Sequence, residues 1–131
     1  MRFAPILLCW SLLCVAAEPA RKLKVFILAG QSNMVGSDAH AAKIDSFPTY
    51  KGAGATQPDV RFTSLPELPK AGFQGWTSLT PNDAFGPEVT FARAVTKALK
   101  QPIAIVKSAI GGTTAAYDWN PDAPESGQKL Y

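Results

Sequence analysis

Ser32 stands in the run Gly30-Gln31-Ser32-Asn33-Met34-Val35-Gly36, directly after the apolar segment Val25-Phe26-Ile27-Leu28. A serine one step past a strand end, with a glycine two residues before it, is placed for nucleophilic attack on an ester. Such chemistry needs a nucleophile, a base, and N–H donors for the oxyanion. The backbone after Gly30 offers donors on one side. A second glycine-bearing stretch, Ile110-Gly111-Gly112-Thr113-Thr114, offers them on another, because no side chain separates a glycine backbone from a ligand. The spacing is not the G-x-S-x-G elbow of α/β-hydrolases, since Met34 stands where the second glycine would be. The same small residues would also suit a plain turn.

The base is harder to find. His40 is the sole histidine of the sequence, and histidine is the commonest base at neutral pH. It follows Ser32 by eight residues in a loop, where histidines are usually solvated. Glu88 has two readings: an acid in the first turn of a helix, or an acid near the site. Asp83, Asp118 and Asp122 read as turn formers. Lys107 reads as the end of a strand, with its charge in solvent. Tyr117 and Trp119 either wall a pocket or cap the sheet. A single histidine, with both cysteines near the N-terminus, leaves no cluster for a metal, and no cofactor is implied.

These residues need elements to hold them. Lys22–Leu28 is a continuous apolar run, as in a strand covered on both faces. Residues 37–84 carry scattered prolines and glycines and read as a long irregular excursion, with one short helical stretch at Ala39–Ile44. Its aromatics, Phe47 and Tyr50 among them, argue for a folded segment that walls a site. A helix is expected from Gly86-Pro87-Glu88, with proline in the first turn, apolar residues at Val89, Phe91, Ala92, Val95 and Leu99, and a stop at Gln101-Pro102. A second buried strand, Ile103–Val106, runs on into the Gly111-Gly112 loop. Strand, helix, strand implies a parallel sheet. Both polar loops then leave the same edge, where ligands bind in open α/β sheets.

The chain has 131 residues, one domain's length, and a formal net charge of +3, which is small and scattered, giving no case for nucleic acid. Met1-Arg2, the apolar run from Pro5 to Val15, and Ala16-Ala17 form the pattern of a signal peptide. Residues 1–17 are therefore expected to be a cleaved leader and 18–131 the mature part, secreted or periplasmic and free of the membrane after cleavage. An uncleaved anchor is the alternative. Cys9 and Cys14 would leave with the leader, which excludes a disulfide framework and a cysteine nucleophile. Oligomeric state is not encoded in any of these patterns.

Four pieces occur in order: GQSNMVG at Gly30–Gly36, FGPEVTFA at Phe85–Ala92, KSAIGGTT at Lys107–Thr114, and Trp119. Together they resemble the sialate O-acetylesterase-like (SASA) domain and carbohydrate esterase family 6, within the SGNH-type hydrolases. The resemblance runs from Lys24 to the C-terminus. It implies a flavodoxin-like three-layer α/β/α sandwich with a parallel sheet, and a serine that removes acetyl groups from an acetylated carbohydrate. By the same resemblance Ser32 is the nucleophile. The N–H groups of Ser32 and Gly112 form the oxyanion hole, with Gly111 as the fallback, and Gln31, Asn33 and Glu88 support the site or touch substrate. Gln31 takes the place of an aspartate in GDS-type relatives. The family's later Q-G-E block and its C-terminal D-x-x-H do not appear, so the sequence reads as the N-terminal part of such a domain, apparently truncated. The alternative is a non-catalytic carbohydrate-binding or relic fragment that lacks the base.

Overall fold

A computed structural model describes residues 22–65, 75–123 and 130. The leader expected at residues 1–17 and both cysteines lie outside the described residues. Among the described residues four strands form one sheet: β1 (Lys24–Gly30), β2 (Gln57–Leu65), β3 (Thr77–Leu79) and β4 (Ile103–Ala109). Their order is β1-β4-β2-β3. β1 and β2 both run parallel to β4, and β3 is antiparallel to β2. The sheet is therefore mixed, where a parallel one was expected. Among the described residues three helices accompany it: α1 (Ser32–Val35), α2 (Ala41–Ile44) and α3 (Glu88–Leu99), with a 3-10 turn at Pro48–Tyr50.

α3 forms where the sequence predicts it. Pro87 is its N-cap rather than its first helical residue, and Lys100 ends it in the left-handed conformation, its N–H donating to Thr96 O at 2.8 Å. Its apolar stripe lies on one face of the sheet. Val60, Leu79, Ala92, Ile103 and Ile105 form the buried centre, with Phe26, Leu28, Phe62, Phe91, Val95 and Leu99 packed around it. Phe26 and Phe91 meet edge to face, with ring centroids 5.3 Å apart, the arrangement their quadrupoles favour.

Three expectations change. The stretch 37–84 is not irregular throughout, because β2 pairs with β4 from Val60↔Ile103 to Leu65↔Ser108. Its sequence hid this: only Val60 and Phe62 supply apolar residues to the core face, Arg61 and Thr63 alternate with them, and Pro58 sits near the start, where proline is tolerated. Next, β1 is covered on one face only. Phe26 and Leu28 pack under α3, whereas Val25 and Ile27 are 55% and 74% exposed on the other. Finally, Lys107 is buried. Alternation along β4 puts it on the same face as Ile103 and Ile105, beneath the start of α3.

Candidate active site

β1 and β4 end level with each other, Gly30 opposite Ala109. The Ile110 N–H donates to Gly30 O at 3.0 Å. The two polar loops thus leave the sheet side by side, as parallel pairing requires.

Ser32 is the first residue of α1 and is exposed. Met34 and Val35 donate their N–H groups to Gln31 O at 2.8 and 2.9 Å, and Gly36 donates to Ser32 O at 2.9 Å. The N–H groups of Ser32 and Asn33 precede the first bond of this turn, so the helix supplies them with no acceptor. The Ser32 hydroxyl donates to Gln31 Oε1 at 3.3 Å.

Two glycines explain how this turn is held. Gly36 closes α1 at φ 83°, and a Cβ there would lie 1.9 Å from Phe85 O. A Cβ on Gly86 would lie 2.1 Å from Met34 O. The Ser32 turn and the Phe85-Gly86-Pro87 segment therefore pack backbone against backbone, which side chains would prevent. The second glycine of the GQSNMVG run serves this contact, not access to the serine.

Beneath the contact lies a buried ion pair. Lys107 Nζ is 2.8 Å from Glu88 Oε1, with the side chains 7% and 4% exposed. Lys107 also donates to Val35 O at 3.1 Å, and Glu88 Oε1 accepts the Gly86 N–H at 3.0 Å. Among the described residues Glu88 Oε2 is buried with no hydrogen-bond partner. Glu88 stands in the first turn of α3, as one of its two readings has it, and its bonds lie directly under the Ser32 turn. Together with Lys107 it ties three things to one point: the end of β4, the start of α3 and the C-terminal end of the Ser32 turn.

A cavity of about 450 Å³ opens beside Ser32. Ser32 and Asn33 line it from α1, Asp38 from the loop that follows, Phe47 and Tyr50 from the segment after α2, and Gly86 and Thr90 from the start of α3. Among the sequence candidates, Ser32 and Asn33 come together here, and Gln31 touches the Ser32 hydroxyl. Glu88 sits underneath. Gly112, at φ 76°, and Gly111 lie in the turn after β4, outside this lining, with no atom within 4 Å of an added Cβ on either. His40 is exposed and also outside the lining. Asp118 shapes its turn, its Oδ2 accepting from Thr114 N at 2.7 Å. Trp119 Nε1 donates to the buried Thr113 hydroxyl at 3.0 Å, and that hydroxyl donates to Ile110 O at 2.9 Å. This braces the turn rather than walling the cavity. Among the described residues no group of three His, Cys, Asp or Glu side chains is arranged to hold a metal ion.

The sequence reading missed Asp38 as a wall residue and Lys107 as a buried one. The signal for Lys107 was available. An α-helix leading into a strand runs antiparallel to it, so the helix start lies over the strand end, and Lys107 shares the parity of Ile103 and Ile105.

A family model described as carbohydrate esterase, sialic acid-specific acetylesterase, matches residues 22–131. Among solved structures, the chain is similar to a protein from Arabidopsis thaliana with a TM-score of 0.51 and 21% identity, over 77% of this chain and 45% of that one. It is also similar to a carbohydrate acetylesterase from Xanthomonas citri, with a TM-score of 0.49 and 26% identity, over 72% of this chain and 24% of that one. The chain spans less than half the length of either. The first likeness is one of fold. No curated protein matches.

Proposed function

The chain belongs to the carbohydrate esterase family of sialic acid-specific acetylesterases, and from that premise we propose that it is part of a secreted serine O-acetylesterase acting on acetylated sugars. The observation that carries this reading is the placement of Ser32: exposed, first in its turn, and on the wall of a cavity of about 450 Å³. In the proposed reaction Ser32 Oγ attacks the acetyl carbonyl carbon. Its proton passes to a histidine contributed from outside this stretch of chain. The N–H groups of Ser32 and Gly112 receive the oxyanion, which such donors stabilise most where charge develops. Collapse breaks the bond to the sugar oxygen, which leaves with the proton. Water then hydrolyses the acetyl-Ser32 ester to acetate. The step uses no metal or cofactor.

The fold reading belongs to the same proposal. A flavodoxin-like α/β/α sandwich of the SGNH type would place a second helical layer over Val25 and Ile27. Residues 1–17 act as the leader that sends the chain to the periplasm or the exterior.

The test is acetate release from an acetylated sugar. Release that disappears in Ser32→Ala supports the proposal, and so does an acetyl adduct trapped on Ser32. A second reading, a non-catalytic carbohydrate-binding fragment, is favoured by the Ser32 hydroxyl bonding to Gln31 rather than to a base. Sugar binding without turnover would establish it.

A further inference from the structure

Lys51, Arg93, Lys97 and Lys100 are scattered in sequence, and all four are exposed. The fold gathers them along one side. Arg93 and Lys97 stand one turn apart on α3, and Lys100 is its C-cap. Adjoining hollows run beside them. Lys51 and Arg93 line the first, of about 180 Å³. Arg93 and Lys97 line the second, of about 670 Å³, whose other wall is the start of β2. Lys97 and Lys100 line the third, of about 440 Å³. Tyr50 and Thr90 belong both to the first hollow and to the cavity beside Ser32. Shared walls make these spaces one track, from Ser32 at the strand ends to the far end of α3.

The walls of the track are fixed. Gln57 Nε2 donates to Val89 O at 2.9 Å, a buried bond that ties the start of β2 to α3. An Arg93 N–H donates to Gly52 O and holds the turn that carries Lys51. Lys100 caps α3 at φ 51°, a left-handed conformation that glycine adopts freely and lysine only at a cost. The helix dipole favours Lys97 and Lys100 where they stand. It does not account for Arg93 in mid-helix, nor for Lys51, which lies off the helix. Asp59 lines the second and third hollows, where Arg93, Lys97 and Lys100 outnumber it. A row of cations complements a chain that repeats negative charge. Arg93 to Lys100 spans ~10 Å at the helical rise, longer than a single sugar ring. A hollow between a helix and a strand admits one extended chain, not a flat bilayer.

We propose that this track along α3 is an exosite for an acidic polysaccharide, one with carboxylates repeated along its chain. Lys51, Arg93, Lys97 and Lys100 hold the polymer, and an acetylated sugar further along it reaches Ser32. The inference rests on the proposed action on acetylated carbohydrates. It extends that reading, because the feature recognised is the charge of the polymer away from the reacting ester.

The test reads binding, which needs no turnover. The full chain is titrated with hexagalacturonate and, separately, with the neutral xylohexaose, and amide shifts are followed by NMR. Hexagalacturonate is expected to shift Asp59, Thr90 and residues from Arg93 to Lys100, with xylohexaose binding at least about tenfold more weakly. Affinity for the acidic hexamer should fall as salt is raised, since exposed charges are screened. Lys97→Gln combined with Lys100→Gln changes two exposed positions and should keep a dispersed spectrum. It should weaken hexagalacturonate by about tenfold. Asp59→Asn should tighten it, and Ser32→Ala should bind it as the parent does. Equal binding of the two hexamers, no binding of the acidic one, parental affinity in the double lysine variant, or looser binding in Asp59→Asn would overturn the inference. Tighter binding to phosphatidylglycerol vesicles than to hexagalacturonate would overturn it in favour of a membrane surface. Hexagalacturonate bound as expected, with no acetate released from any acetylated sugar, would uphold the exosite and sink the hydrolysis proposal alone.

Discussion

Replacing Lys107 by methionine should be among the most damaging single changes in this chain. The ammonium is 2.8 Å from Glu88 Oε1 and 3.1 Å from Val35 O, in a site where both charged side chains are nearly sealed from water. Methionine keeps the length and apolar bulk of the stem and removes the charge. Glu88 is then a buried carboxylate that still accepts the Gly86 N–H but has lost its countercharge, and the Val35 carbonyl loses a donor. Removing one member of a buried pair costs about 3–5 kcal/mol, because the survivor stays desolvated and uncompensated. Domains of this size are stable by about 5–15 kcal/mol, so a fifth of the total or more is at stake. At ~3–5 °C per kcal/mol for a domain of this length, the melting point should fall by about 10–25 °C. Lys107→Met combined with Glu88→Gln removes both charges and keeps an acceptor for Gly86. It should recover most of the loss and come within about 2 kcal/mol of the parent. Urea unfolding of the parent, both singles and the double variant gives the cycle, with the slope of ΔG against urea checked for constancy. Amide exchange at Met34–Gly36 should quicken in Lys107→Met, because Val35 is tied to that lysine. A loss below about 1 kcal/mol in Lys107→Met, or a double variant equal to the sum of its singles, would refute the reasoning.

Gly36→Ala should destabilise by more than about 1–2 kcal/mol, since a left-handed backbone is costly for alanine and the new Cβ would meet Phe85 O. Gly111→Ala, with open space around the added carbon, should stay within about 0.5 kcal/mol, and urea unfolding reads both. On the sheet, Ile105→Ala should cost about 2–5 kcal/mol. Ile27→Thr, on the exposed face, should stay within about 0.5 kcal/mol and raise the concentration at which light scattering detects self-association. Trp119→Phe should lose about 1 kcal/mol through the missing bond to Thr113, measured by thermal unfolding.

β1, α3 and β4 were legible because their signals are local. Contiguous apolar runs mark the two strands, and a 3.6-residue apolar stripe between Pro87 and Pro102 marks the helix. The co-location of the Ser32 and Gly112 loops followed from these three alone, since parallel neighbours put their ends at one edge. β2 was not legible, because it is apolar on one face only and it pairs with β4, its partners lying more than forty residues further along the chain. The wall of the cavity was half legible. Phe47 and Tyr50 were visible as aromatics in an apparent loop, but nothing local says which way a loop turns its rings.

What the sequence determined by itself was therefore the nucleophile candidate, the helix and the two strands that present it, and through its motifs the family. Tertiary structure alone decided the fate of the charges and the glycines. Lys107 is a surface residue by type and became a buried one because strand parity turned it under α3, where Glu88 could neutralise it. Gly36 and Gly86 are turn residues by type and became contact points because two backbones cross there. In each case the deciding partner is distant in sequence. The free energy of a buried charge or a close backbone approach depends on what surrounds it in space, and that is fixed only when the chain has packed.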